Sequence, residues 1–431
     1  MSHSDRVQLV PFLPWTAGAT TGFIEEIGKD RLFLRFVSPL PEQNFRLVAA
    51  CSSNVTFEFA GTLGSKIADG LQSFVIDSTS LPALQDLLTY VRKQQHIAIC
   101  RDQDVEASDK FTGFSDYSFV PEALPELNWS DIDTSTRFLG RRFDLPLLIT
   151  GMTGGIEQGE ELNKRLARCA VAFGIPMGVG SQRIGLENPK HAKIFQLKLH
   201  SPDLFLIGNI GLSQILRTDA ADLCQKAVDM IEADALAVHV NVLQEIVQVE
   251  GDRSFRGALL SIEEICRRLP VPVIVKEVGS GIGPDTAAKL FECGVSAVDV
   301  GGRGGTSWGY IEGKRSVSES TKLLADQFRD WGIPTAYALR ASAQRFPDRE
   351  FVATGGVRDG LTVAKAVALG ARTVGIGLPL LRAALRSEEE LAEVMDRLKK
   401  GLQIAMIATG CSRLEQLKTR LCLGKPFEKV L

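Results

Sequence analysis

From about residue 125 onward, short apolar runs alternate with longer amphipathic stretches, and that alternation constrains the chain more than any other feature. Eight runs fit, at residues 145–150, 175–179, 204–207, 235–240, 272–278, 297–300, 350–353 and 373–376. Each is nearly continuously apolar, as strands buried on both faces are. Parallel strands need long crossovers, and helical patterns over residues 218–233, 261–268, 284–293 and 361–369 supply them. The reading predicts an α/β fold, a closed (β/α)₈ TIM barrel. An open doubly wound sheet would place G-x-G-x-x-G after its first strand, where this chain has Gly151-Met152-Thr153-Gly154-Gly155.

About 250 residues suffice for such a barrel, and the chain has 431. The surplus lies at the start: residues 1–90 read as a small antiparallel β-rich domain with a linking helix, and residues 91–431 as the barrel. Residues 23–27 and 31–37 flank Gly28-Lys29-Asp30 as a hairpin, Val55, Phe57 and Phe59 alternate, and residues 74–76 add a strand. Ser80 and Pro82 open a helix through Leu84, Leu87, Leu88 and Val91. No chemical motif occurs there, which favours a scaffold or interaction role over ligand binding.

Hydrophobic residues at 45%, charged residues at 23% and a net charge of -3 exclude a disordered chain and argue against a nucleic-acid binder. No run is long and apolar enough to span a bilayer, and the first residues lack the apolar core of a secretory signal, so a cytoplasmic protein away from membranes is expected. The eight cysteines are scattered without metal or disulfide spacing, which suits reduced thiols.

Chemistry in a barrel collects at the carboxyl ends of its strands. Gly355-Gly356-Val357-Arg358 after the seventh strand and Gly377-Leu378 after the eighth suit a phosphate, since glycine lets backbone N–H groups approach an anion. Lys276 interrupts a buried strand and is expected to face the barrel mouth and an anionic ligand; adjacent strand residues point oppositely, which disfavours pairing with Glu277. His239 and Asn241 share a face, with Gln244 and Glu245 just beyond. Further polar or glycine-rich turns follow the second strand (Gly180-Ser181-Gln182-Arg183), the third (Gly208-Asn209-Ile210-Gly211) and the sixth (Gly301-Gly302-Arg303-Gly304-Gly305-Thr306). Together they suit a large, phosphate-bearing ligand pair.

From Arg92 to about Leu423 the chain resembles the type 2, FMN-dependent isopentenyl-diphosphate isomerases. The motifs run in order: Arg92-Lys93-x-x-His96, Ala123-Leu124-Pro125-Glu126-Leu127, Ile149 through Gly155, Gly180-Ser181-Gln182-Arg183, His239-x-Asn241-x-x-Gln244-Glu245, Glu250-Gly251-Asp252-x-x-Phe255, Lys276, Gly305-Thr306-x-Trp308 and Gly355 through Arg358. Two departures stand out: Gln95 occupies a position often acidic in the family, and the family normally starts close to its Arg-Lys motif.

The resemblance implies reduced FMN as cofactor, touched by Gly151, Met152, Thr153, Ser181, Asn209, Lys276 and Thr306, with its phosphate on Gly355, Gly356, Val357, Arg358, Gly377 and Leu378. It implies a diphosphate substrate met by Arg92, Lys93, Ser181, Gln182 and Arg183, and surrounded by His96, His239, Asn241 and Gln244. Gln244, His239 and Lys276 are the implied catalytic residues, Glu245 the Mg²⁺ ligand, NADPH the reductant and a homo-oligomer the assembly. The implied reaction is the reversible conversion of isopentenyl to dimethylallyl diphosphate in isoprenoid biosynthesis. Two rivals are a flavin-dependent 2-hydroxy-acid dehydrogenase, which needs a histidine base where Gly301 to Gly305 stand, and a non-catalytic sensor of FMN or an isoprenoid diphosphate.

Overall fold

The computed structural model describes residues 7–17, 20–27, 31–36, 44–50, 56–66, 71–152, 157–248, 251–316 and 318–424. Thr153, Gly154, Gly155 and Glu250 therefore lie outside the described residues. The chain forms two compact units: the first comprises Met1–Ile99, Gln244–Gly251 and Gly309–Asp326, and the second Cys100–Leu243, Asp252–Trp308 and Gln327–Leu431.

The second unit contains a closed parallel barrel of eight strands, Leu147–Ile149, Met177–Gly178, Leu206–Gly211, Ala235–Val240, Val273–Glu277, Ala297–Asp299, Glu350–Ala353 and Thr373–Ile376. Leu147 and Ile149 pair with Val374 and Ile376, closing the first strand on the eighth. All eight expected runs are strands. The crossovers include Ala220–Ile231, Ala258–Arg268, Pro284–Glu292 and Gly360–Ala368. Pro284 sits in the first turn of its helix, where its missing N–H costs nothing, and Asp359 caps another by accepting the N–H of Thr362 at 2.7 Å.

The third strand corrects the expectation that Gly208 to Gly211 form a turn. It continues to Gly211, with Gly208, Asn209, Ile210 and Gly211 in register with Leu236, Ala237, Val238 and His239. A neighbouring ladder outweighs the poor strand propensity of glycine and asparagine.

Because side chains alternate along a strand, the barrel interior is layered. One layer is apolar: Leu148, Ile207, Ala237, Ile274, Ala297 and Val352 belong to one buried cluster with Phe143 and Phe205, whose rings meet edge to face at 5.3 Å. Two residues further along the same strands stand Thr150, Asn209, His239, Lys276, Asp299 and Thr354. The interior turns polar at the carboxyl ends.

In the first unit, strands β1 (Val7–Ala17), β2 (Thr20–Ile27), β3 (Arg31–Phe36), β4 (Asn44–Ala50), β5 (Thr56–Lys66) and β6 (Leu71–Ile76) close into an antiparallel barrel in the order β1-β2-β3-β6-β5-β4. Trp15, Ile24, Leu32, Leu34, Leu47, Phe59 and Phe74 are fully buried there. Helix α1 (Leu81–Asp102) runs 22 residues without interruption, so Arg92, Lys93 and His96 lie on the same helix as Leu84 and Leu87. Its Tyr90 packs on Phe57 of β5 with ring centroids 6.0 Å apart.

Candidate active site

The polar layer of the large barrel lines a pocket of about 340 Å³ including its mouth, bounded by Thr150, Gly151, Gly178, Gly208, Asn209, Lys276 and Asp299 above the apolar floor. Its wall is bare backbone where the glycines fall: a Cβ on Gly151 would stand 2.0 Å from the Val179 carbonyl oxygen. Only glycine fits that approach.

Asn209 organises one side. Its Nδ2 donates to the Val179 carbonyl at 2.9 Å, which leaves Oδ1 to accept from His239 Nδ1 at 2.8 Å. A proton therefore sits on Nδ1. Gln182 holds Asn209 in turn: Oε1 accepts the Asn209 N–H and Nε2 donates to Ala227, both at 2.8 Å. With both ends of its fully buried amide engaged by the protein, Gln182 supports Asn209. Ser181 is half-buried beside it, and Arg183 pairs with Glu187 at 2.7 Å.

His239, Lys276 and Asp299 occupy one register row across the fourth, fifth and sixth strands. Burial pulls the Lys276 ammonium below its ordinary pKa, opposed mainly by Asp299 and then Glu277. Burial also pushes the Asp299 carboxyl up to about 6, against the pull of Lys276 and hydrogen bonds from Thr354 Oγ1 at 2.6 Å and Gly301 N at 3.2 Å. Glu277 is engaged elsewhere: its Oε2 accepts the N–H groups of Val278, Gly279, Ser280 and Gly281. Asp299 escaped the sequence reading, because its run, Ala297-Val298-Asp299-Val300, is shorter than the one that Lys276 interrupts.

The loops after the sixth and seventh strands pack glycine on glycine. A Cβ on Gly355, whose φ is +111°, would meet the Gly302 carbonyl at 2.0 Å, and one on Gly356 would meet that of Gly304 at 2.4 Å. Arg358 locks these loops, donating to Gly356 O at 2.5 Å, to Gly304 O at 2.9 Å and to Glu106. Its guanidinium thus shapes the expected phosphate loop from the side. Val357 is buried, Thr306 bridges to Glu106, and Met152 Sδ lies 3.0 Å from where a Gly377 Cβ would stand, just before Leu378 opens its helix.

In the first unit a second polar cluster centres on Glu312 of Trp308–Arg315. One oxygen accepts from His96 Nε2 at 2.9 Å and Gln244 Nε2 at 2.8 Å, while Arg315 donates to the other. Burial pushes the Glu312 carboxyl up, but Arg315, His96 and Gln244 together outweigh it and hold the group well below the carboxylate range. Burial lowers the His96 pKa against the pull of Glu312. Gln95 Oε1 accepts from Arg315 Nε at 3.1 Å, so the amide at the often-acidic position is a neutral acceptor for that arginine. Glu312 is a second residue the sequence reading missed, hidden in a segment that looks like an ordinary charged helix.

Glu245 is half-buried in the first turn of Val242–Val247, and Asn241 is buried just before it. Among the described residues no group of three or more His, Cys, Asp or Glu could hold a metal ion. The seven described cysteines are free, and burial raises the pKa of Cys100, Cys169, Cys224 and Cys266 to about 12, which makes them poor nucleophiles.

The model of the FMN-dependent dehydrogenase family matches residues 91–203 and 217–423. An isopentenyl-diphosphate delta-isomerase of Nostoc sp. is 44% identical over 330 residues, covering 77% of this chain and 94% of that protein. The chain belongs to the isopentenyl-diphosphate delta-isomerase family, in its FMN-dependent form. The isomerase of Archaeoglobus fulgidus is 42% identical over 331 residues, covering 77% of this chain and 94% of that one. A lactate oxidase of Pediococcus acidilactici shares the fold, with a TM-score of 0.54 at 18% identity over 78% of this chain and 90% of that one. No helix among the described residues is long and apolar enough to cross a membrane.

Proposed function

We propose that this chain interconverts isopentenyl and dimethylallyl diphosphate, adding a proton at one end of an allylic unit and removing one at the other. The observation that carries the reading is the polar layer above an apolar barrel floor, where Asn209, braced by His239, and Lys276 line a pocket whose wall is stripped to glycine. A flat ring system fits against such a wall, and a buried ammonium suits its anionic edge. Bound FMN in its reduced form supplies acid and base to the alkene.

The chain's own residues do the rest. Gly151, Met152, Thr153, Ser181, Asn209, Lys276 and Thr306 hold the flavin, and the N–H groups of Gly355, Gly356, Val357, Gly377 and Leu378 its phosphate, within loops fixed by Arg358. Asn209 keeps a proton on His239 Nδ1 and so fixes the orientation of the ring. Arg92, Lys93, Ser181 and Arg183 take the substrate diphosphate, and His96, His239, Asn241 and Gln244 its remaining surface. The apolar floor excludes water, which would quench the cationic character that develops on the alkene. Glu245 offers carboxylate oxygen, the donor type that suits an Mg²⁺ held otherwise by diphosphate oxygens and waters. NADPH as reductant, a homo-oligomeric assembly and a cytoplasmic location complete the proposal, the last supported by the free thiols.

The dehydrogenase rival needs a histidine after the sixth strand. Gly301, Gly302, Gly304 and Gly305 stand there, and Arg303 is drawn to Asp109 at 2.5 Å. An anaerobic assay in deuterated water, with reductant only to prime the flavin, decides the matter. Many turnovers per reduced flavin with deuterium in the product support isomerisation. One turnover per reducing equivalent overturns it, and FMN and diphosphate binding without turnover supports the sensor instead.

A further inference from the structure

We infer that Asp299 is the counter-ion that keeps Lys276 charged beside the oxidised flavin, and that it takes up a proton when the flavin is reduced. The proposal rests on FMN occupying the barrel pocket. Both residues line that pocket, and they are paired in register on the fifth and sixth strands, so they share one interior layer. Glu277, the nearest other acid on the same strand, is committed to the four N–H groups of its own turn. The fourth strand presents His239 to this row, tied to Asn209, and the seventh presents the uncharged Thr354 to Asp299. In the glycine-rich loop directly after the sixth strand, Arg303 is paired with Asp109. Lys276 and Asp299 are therefore the two charges that answer each other in this layer.

Two buried groups of opposite sign keep their charges by mutual attraction. A third charge changes the balance. Oxidised flavin carries a neutral ring, so the ammonium is offset by the Asp299 carboxylate alone. Two-electron reduction with one proton to the ring leaves one negative charge on it. The ammonium then has two anions to answer, and the less solvated arrangement is one anion and one neutral carboxylic acid. Asp299 is already poised for this, with its carboxyl lifted to about 6. The balance is two electrons from an added reductant, one proton to the flavin ring and one to Asp299. No bond of the protein is broken. Asp299 is a positioning residue: it acts through the charge of Lys276.

The test is redox-difference infrared spectroscopy of the FMN-loaded enzyme at pH 7, reduced with dithionite, with proton uptake followed by an indicator dye. The visible flavin spectrum reports loading and the charge of the reduced ring independently, so a failure to bind FMN is distinguished from a failure of the proposal. The expected result is a carboxylic-acid C=O band appearing on reduction, downshifted in deuterated water, with two protons taken up per flavin. Asp299→Asn should lose the band and take up one proton, Asp299→Glu should restore both, and Lys276→Met should show the acid band before reduction. Absence of the band in the parent enzyme with an anionic reduced flavin overturns the proposal, as does its persistence in Asp299→Asn. If Asp299→Asn does not fold, Thr354→Val serves, since losing the hydroxyl donor should move the onset of the band to higher pH.

Discussion

Two buried carboxylates, Glu312 in the first unit and Asp299 in the large barrel, are each about 2% exposed and yet titrate in opposite directions. Burial penalises both charges. Glu312 has an arginine, a histidine and an amide in direct contact, and their donors exceed the penalty. Asp299 has a hydroxyl, one N–H and a lysine acting through space, and they do not. A guanidinium at contact distance, joined by two further donors, makes a fixed charge, whereas a looser set makes a charge that can be given up. The first serves architecture and the second serves chemistry.

The contrast is most exposed to failure at Glu312. Glu312→Ala leaves the buried Arg315 without its carboxylate and should cost about 3–5 kcal/mol in urea unfolding, as removing one partner of a buried pair does. A loss below about 1 kcal/mol would mean the cluster is as loose as that around Asp299. Next in size, Arg92→Ala and Lys93→Ala should each weaken substrate binding by about 1.5–3 kcal/mol while leaving FMN affinity unchanged. Unaltered substrate affinity would return both residues to a purely structural place on α1.

Titration sharpens the comparison further. A carboxyl whose pKa is raised on folding favours the folded state while protonated, and that contribution disappears as pH rises through about 6. Measured without flavin and relative to Asp299→Asn, the parent chain should therefore lose about 1 kcal/mol between pH 5 and pH 7. Glu312, lowered on folding, contributes above the ordinary carboxylate range and should give no change across the same window. The smallest effect concerns Gln95: Gln95→Glu converts the neutral acceptor of Arg315 to a charged one, and stability should shift by no more than about 1 kcal/mol. A larger gain would show that Glu312 alone leaves Arg315 under-compensated.

The eight barrel strands are legible in the sequence because burial on both faces leaves little alternative to a run such as Val273-Ile274-Val275, and Lys276 is legible because it breaks one. Asp299 hides because the run around it, Ala-Val-Asp-Val, is too short to look interrupted. Glu312 hides because its partners His96 and Gln244 are 216 and 68 residues away in sequence. In the small barrel, β1 carries Pro11 and Pro14 and a register shift between Gln8 and Leu13, features that read as turns until the ladder is seen. β4, Asn-Phe-Arg-Leu-Val-Ala-Ala, lacks clean alternation. The commitments of Gln182 are likewise visible only in the geometry, which ties one end of its amide to Asn209 and the other to Ala227.

Helix α1 joins two tasks in one rigid body. Its early part puts Leu84, Leu87 and Tyr90 into the packing of the first unit, and Arg92, Lys93 and His96 follow with no break in the helix. Tyr90 and His96 are six residues apart, which is about 9 Å along the axis. Mechanically this is a shaft without a joint: a push or twist applied to the small barrel reaches His96 with no hinge to absorb it. The N-terminal barrel thus has the leverage to retune the residues proposed to hold the diphosphate.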